Sequence, residues 1–112
     1  MTPAEHRAAA RRLDEAERTR QQIRMLSLEH PGMGMDDAYA VQRAWLALKL
    51  KRGRRVLGHK IGLTSKAMQA AVGISEPDSG FLLDDMLFAD GGIVPTERFI
   101  GLRVEAELAF IL

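Results

Sequence analysis

Three features of the sequence predict an α+β chain, helical in front and β-rich behind. Apolar residues recur at helical spacing through the first half, at Ala9, Leu13 and Ala16 and again at Ala38, Val41, Trp45 and Leu48. Glycine and β-branched residues take over between Arg55 and Leu63. From Leu102 the pattern alternates cleanly, with Leu102, Val104, Ala106 and Leu108 on one face and Arg103, Glu105 and Glu107 on the other, which is the period of a strand. The change falls after Gly53, so residues 1–53 read as a helical region and 54–112 as a β-rich region of one structural unit.

Each element has a local cause. Thr2, Pro3 and Glu5 supply a capping hydroxyl, a ring with φ already set and a capping-box carboxylate, so a helix begins at Pro3. Its apolar stripe is narrow, and the periodicity fades near Thr19 to Gln22, recovers through Ile23 and Leu26, and ends at His30-Pro31-Gly32. Asp36 or Asp37 caps a second helix that Gly53 stops. A strand follows over Arg55–Leu63, with glycines that let something approach its backbone. Thr64 or Ser65 then caps a short helix packed through Ala67, Met68, Ala71 and Val72 and ended by Gly73. Glu76-Pro-Asp-Ser-Gly80 has turn chemistry, Ile93-Val94 reads as a short strand, and Leu102–Leu112 as a longer one. An apolar strand at the end with no polar closure predicts continuation of the chain or pairing with a partner.

Composition narrows the function classes. The 112 residues are 46% hydrophobic and 28% charged, an ordinary folded mixture for which one core is expected. Sixteen basic residues face fifteen acidic ones, so the net charge of +1 gives little long-range attraction for nucleic acid or an acidic membrane. Having no cysteine excludes a disulfide framework and thiolate metal sites, and fits a reducing compartment such as the cytoplasm. The charged amino terminus lacks the apolar stretch of a signal peptide, and no apolar run approaches the roughly 20 residues that span a bilayer.

Four residues are candidates for chemistry. Glu105 and Glu107, two apart on a strand, project to one side with α-carbons roughly 6 to 7 Å apart. Two such carboxylates suit one hard cation, magnesium or manganese, as a partial site that needs another ligand. On spacing alone they also fit a solvated strand face beside Arg103. Lys60 interrupts an apolar strand, where burial would lower its pKa and make it a proton carrier or a carboxylate anchor; as an edge lysine it would discourage aggregation instead. Asp78 could act as acid or base, or serve only its own turn. His59 faces away from Lys60 and reads as packing, and His6 and His30 as surface residues. Lys49, Lys51, Arg52, Arg54 and Arg55 form the one dense basic cluster, either a helix terminus that welcomes cations or a small nucleic-acid-binding module. The first is preferred.

Asp37-Ala-Tyr-Ala-Val-Gln42, Gly58-His-Lys-Ile-Gly-Leu-Thr-Ser65, Pro77-Asp-Ser-Gly80, Asp85-Met86 and Glu105-Ala-Glu107 stand together in this order. With them the chain resembles the hydratase and decarboxylase family that processes 2-hydroxydienoates in aromatic meta-cleavage pathways, within the fumarylacetoacetate hydrolase fold group. Ser27-Leu28, the Asp36-to-Trp45 helix, Lys66-Ala-Met-Gln69 and Ile74-Ser-Glu-Pro-Asp78 resemble the branch that hydrates seven-carbon 2-oxo enedioates. The resemblance implies the start of a fumarylacetoacetate hydrolase-like mixed β fold, a magnesium or manganese ion on Glu105 and Glu107, and active-site roles for Lys60 and Asp78. It further implies a 2-oxo dicarboxylate substrate, a homo-oligomer, and a third glutamate ligand beyond Leu112. Ser79 stands where the family carries an aromatic residue, which bears on specificity more than on reaction type.

Overall fold

A computed structural model describes residues 1–112 and contains four helices and one two-stranded sheet, an α+β arrangement. Helix α1 runs Pro3–Thr19. The Thr2 hydroxyl accepts from the Glu5 N–H (3.3 Å) and the Glu5 carboxylate accepts from the Thr2 N–H (2.6 Å), the capping box expected from sequence. The helix ends where Arg20 turns left-handed (φ 55°). After a short extended stretch, α2 spans Leu26–Glu29 and is tied back to α1 by the Arg12 guanidinium on Glu29.

Helix α3 spans Met35–Lys51 and starts earlier than its acidic residues suggest. Gly34 is the cap, and Asp37 lies one turn inside, where it accepts from the Gly34 N–H at 3.1 Å. The other Asp37 oxygen meets the His6 Nε2 at 2.7 Å and the Met1 amino group at 3.1 Å. His6 is therefore a clip between two helices and not a free surface residue. This concentration of donors, His6 first, holds the Asp37 carboxyl far below the usual carboxylate range.

The α1 and α3 stripes face each other. Ala9, Ala10 and Val41 are buried between them, with Leu13, Leu26, Met33, Trp45 and Leu48 packed around. Beneath this layer the Asp14 carboxylate, 7% exposed, accepts two bonds from Arg52 (2.9 and 2.6 Å) and one from the Trp45 indole N–H (3.3 Å). The Arg52 hydrogen bonds keep the Asp14 carboxyl charged and below its ordinary range against the cost of burial.

Gly53, at φ 85°, breaks the helix. Strand β1 (Val56–Gly62) pairs antiparallel with β2 (Asp78–Leu83), Lys60 opposite Gly80 and Gly62 opposite Asp78, with an irregularity between Val56 and Gly58. Helix α4 (Lys66–Val72) lies between the strands in sequence, capped by the Ser65 hydroxyl on the Met68 N–H (3.1 Å) and closed by Gly73 at φ 71°. Short 3₁₀ turns follow at Asp84–Met86 and Thr96–Arg98.

Several expectations for the second half need correction. Asp78 does not sit in a turn, because Asp78-Ser-Gly80 already pairs with β1. Ile93-Val94 and Leu102–Leu112 form no strand. Alternation is worth little to a backbone with no neighbour to pair with, and Val104 and Leu108 remain 90% and 91% exposed. Nor does α4 pack through its alanines, Met68 and Val72, which are exposed. It buries Gln69, whose amide donates to the Leu63 carbonyl at 2.7 Å. In place of one core through the whole chain, burial is concentrated between α1 and α3. A two-stranded hairpin has no layer of its own to close over it, and within it only Leu83 is fully buried.

Candidate functional site

The hairpin builds the candidate site. Side chains alternate along a strand, so Gly58, Lys60 and Gly62 share one face of β1, and Asp78, Gly80 and Leu82 share the matching face of β2. Lys60 and Asp78 are thus diagonal neighbours on one face, and three of the positions around them carry no side chain. Asp78 folds directly over Gly62: a Cβ there would collide with the Asp78 Oδ1. Of the glycines read from sequence as places of close approach, Gly62 has this use, while Gly58 faces open space.

Lys60 does not have the lowered pKa expected of a buried lysine. Its side chain is half exposed, and its Nζ donates to Glu107 Oε1 at 2.9 Å. That bond, reinforced by the negative charges of Glu107, Glu105 and Asp78, holds Lys60 above the ordinary lysine range. Thus the structure brings Glu107 to Lys60 from 47 residues away, with Glu105 and Asp78 within electrostatic reach. It does so without a strand at 105–107. No group of three or more His, Cys, Asp or Glu side chains is gathered around one point. His59, on the opposite face, packs on the Phe81 ring with centroids 5.3 Å apart.

Helix α3 reaches the hairpin at one place. The Ser79 N–H donates to the Tyr39 hydroxyl at 3.2 Å, and the Ser79 carbonyl accepts from the Gln42 amide at 2.9 Å. Sequence reasoning singled out Asp37–Gln42 as a motif but gave Tyr39 and Gln42 no task; their spacing of three, which puts both on one helix face, was the available signal.

The basic cluster is largely spent on ion pairs. Lys49 meets Glu17 and lies over the Trp45 ring, Arg52 holds Asp14, Arg54 stands 3.7 Å from Asp85, and Arg55 stands 3.8 Å from Asp84. A charged cleft near the end of α3 is lined by Asp14, Glu17, Arg20, Lys49 and Arg98 among others, and includes none of Lys60, Asp78, Glu105 and Glu107. No helix is long and apolar enough to cross a membrane.

Comparison with known proteins shows the class of enzyme to which this chain is similar. The chain is related to hydratases of 2-oxo and 2-hydroxy enoates and to 4-oxalocrotonate decarboxylase. In particular, it is 61% identical to the 2-oxo-hept-4-ene-1,7-dioate hydratase of Escherichia coli over 96% of this chain and 40% of that protein. It is 42% identical to the 2-keto-4-pentenoate hydratase of Paraburkholderia xenovorans over 100% of this chain and 42% of that protein. Two solved structures of 4-oxalocrotonate decarboxylase from Pseudomonas putida G7 match with a TM-score of 0.74 and 35% identity over 76% of this chain. One is complexed with calcium and acetate (33% of that chain covered), the other with magnesium and adipate (32%). The chain spans about two fifths of the length of the curated relatives it matches. No protein-family model matches it.

Proposed function

We propose that the natural gene product carrying this chain is a metal-dependent hydratase that adds water to a 2-oxo or 2-hydroxy dienoate dicarboxylate such as 2-oxo-hepta-3-ene-1,7-dioate. In this reading residues 54–112 are the first part of a fumarylacetoacetate hydrolase-like catalytic domain, 1–53 its helical amino-terminal region, and the enzyme a cytoplasmic homo-oligomer. The observation that carries it is the convergence of Lys60, Asp78 and Glu107, with Glu105 near, on a glycine-floored hairpin face.

The donor set fits a magnesium or manganese ion in kind. Glu105 and Glu107 offer only hard carboxylate oxygens, and both remain accessible. They would hold the ion as two of its ligands. Bound there, it would supply positive charge opposite the enolate oxygen of a 2-oxo acid. The chain's own residues do the rest. The Lys60 ammonium, with three donors, anchors a substrate carboxylate or delivers a proton to carbon. Asp78, on the same face, takes up a proton or orients the incoming water. The dienol thereby reaches its α,β-unsaturated ketone form, and water adds at the electron-poor carbon. Gly58 leaves open space on the Lys60 face for a flat, extended substrate against the backbone, while Gly62 gives its space to the Asp78 carboxylate.

A decarboxylase is the second reading, favoured by the match to 4-oxalocrotonate decarboxylase, since loss of carbon dioxide from a 2-oxo acid also builds up enolate charge. The test is to supply the natural gene product with magnesium and each substrate. Loss of the dienoate absorbance without carbon dioxide release supports the hydratase. Release from 4-oxalocrotonate with no hydration selects the decarboxylase.

A further inference from the structure

We infer that Tyr39 and Gln42 are positioning residues that set the aim of Asp78 by clamping the main chain of the residue after it. The inference rests on the reading of Asp78 as a substrate-handling group. Both polar groups of one peptide residue are taken by one helix face: the Ser79 N–H by the Tyr39 hydroxyl (3.2 Å), and the Ser79 carbonyl by the Gln42 amide (2.9 Å).

In an antiparallel strand a residue's N–H and C=O point to the same side. Ser79 therefore turns both groups away from β1 and toward α3, along the strand edge that would otherwise stand open. Gln42 also lies against Gly80, its amide nitrogen 3.8 Å from where a Cβ would be. The strand is thus held by α3 at Ser79 and contacted at the next residue, Gly80. Asp78 is directly attached to Ser79, and on its other flank its carboxylate is fitted over Gly62 so closely that a methyl group there would strike it. Clamp and glycine act from opposite ends to fix one carboxylate beside Lys60.

Two features separate this arrangement from ordinary edge protection. A lysine, a proline or a bulge suffices to blunt an edge, whereas here two side chains from a distant element satisfy one residue's donor and acceptor together. In addition, both bonds go to the main chain, so they do not depend on the Ser79 side chain. The clamp holds the strand while leaving position 79 free to vary with substrate.

The test uses Tyr39→Phe and Gln42→Met in the natural gene product, each also in an Asp78→Asn background. Hydrogen exchange at the Ser79 amide reads the clamp directly; steady-state kinetics with the dienoate read its consequence. Tyr39→Phe should speed Ser79 exchange about tenfold, the loss of one hydrogen bond. Both substitutions should lower kcat by roughly ten- to a hundredfold with KM within a factor of about three, the signature of a misplaced group. In the Asp78→Asn background they should lower it little further, because they act through the same residue. Unchanged Ser79 exchange overturns the clamp. Faster exchange with kcat intact, or a loss of kcat as large without the Asp78 carboxylate as with it, overturns the positioning role. If the unsubstituted protein fails to turn over any 2-oxo dienoate, the hydratase reading falls and the positioning role with it, a result told apart by the Ser79 exchange still responding to Tyr39→Phe.

Discussion

Replacing Asp14 by alanine tests how the helical half is held together. The carboxylate is 7% exposed and accepts three hydrogen bonds, two from the Arg52 guanidinium and one from the Trp45 indole. A hydrogen bond to a charged group contributes about 1.5–3 kcal/mol net. The three are not additive here, because Arg52 is more than half exposed and recovers solvation once released. The substitution should therefore cost about 2–3 kcal/mol. That is a large share of the roughly 5–15 kcal/mol that holds a domain, and larger still for a chain in which seven of 112 residues are buried. Urea unfolding followed by Trp45 fluorescence is the assay. Arg52→Ala should be at least as damaging, since it strands a buried carboxylate where the Asp14 substitution strands an exposed cation. The pH dependence has a definite sign. The Asp14 carboxyl is depressed in the folded chain, so its stabilisation is present above its unfolded pKa near roughly 4 and is lost as pH falls through the lower folded value. The gap between the natural chain and Asp14→Ala should hold from pH 7 to about 5 and close below about 4. A cost under about 0.5 kcal/mol, or a gap that widens in acid, would refute the reasoning.

Gly62→Ala should leave the fold intact, since the added methyl meets only the far end of the Asp78 side chain, yet lower turnover by roughly tenfold or more as that carboxylate is displaced; undiminished kcat would show that its place over Gly62 is not needed. Val41→Ala, at the centre of the α1–α3 contact, should lower unfolding free energy by about 2 kcal/mol without changing substrate KM, measured by denaturation and kinetics side by side.

What could be read from the sequence was local. The capping box at Thr2 and Glu5, the stripes of α1 and α3, the Ser65 cap and the stops at Gly53 and Gly73 each depend on residues within a turn of one another, and each is present. Residues whose meaning depends on a distant partner were harder to read. Lys60 fitted either a buried proton carrier with a lowered pKa or an exposed edge lysine, and neither reading foresaw that it meets Glu107, 47 positions away. His6 looked like a surface residue and instead bonds Asp37, 31 positions away. Alternation at Leu102–Leu108 is a real strand pattern, but a strand exists only with a neighbour, and β1 and β2 pair with each other alone. Glu105 and Glu107 were singled out by their spacing, while the strand meant to aim them is not formed.

Manganese binding followed by electron paramagnetic resonance, with turnover measured on the same samples, tests the central claim most directly. The natural gene product and its Glu105→Ala, Glu107→Ala double variant are compared at equal fold stability. Loss of both carboxylates should weaken manganese binding by at least about tenfold and abolish hydration, since hard oxygen donors make up the cation's shell. A double variant that binds manganese as tightly and hydrates the dienoate as fast would contradict the account.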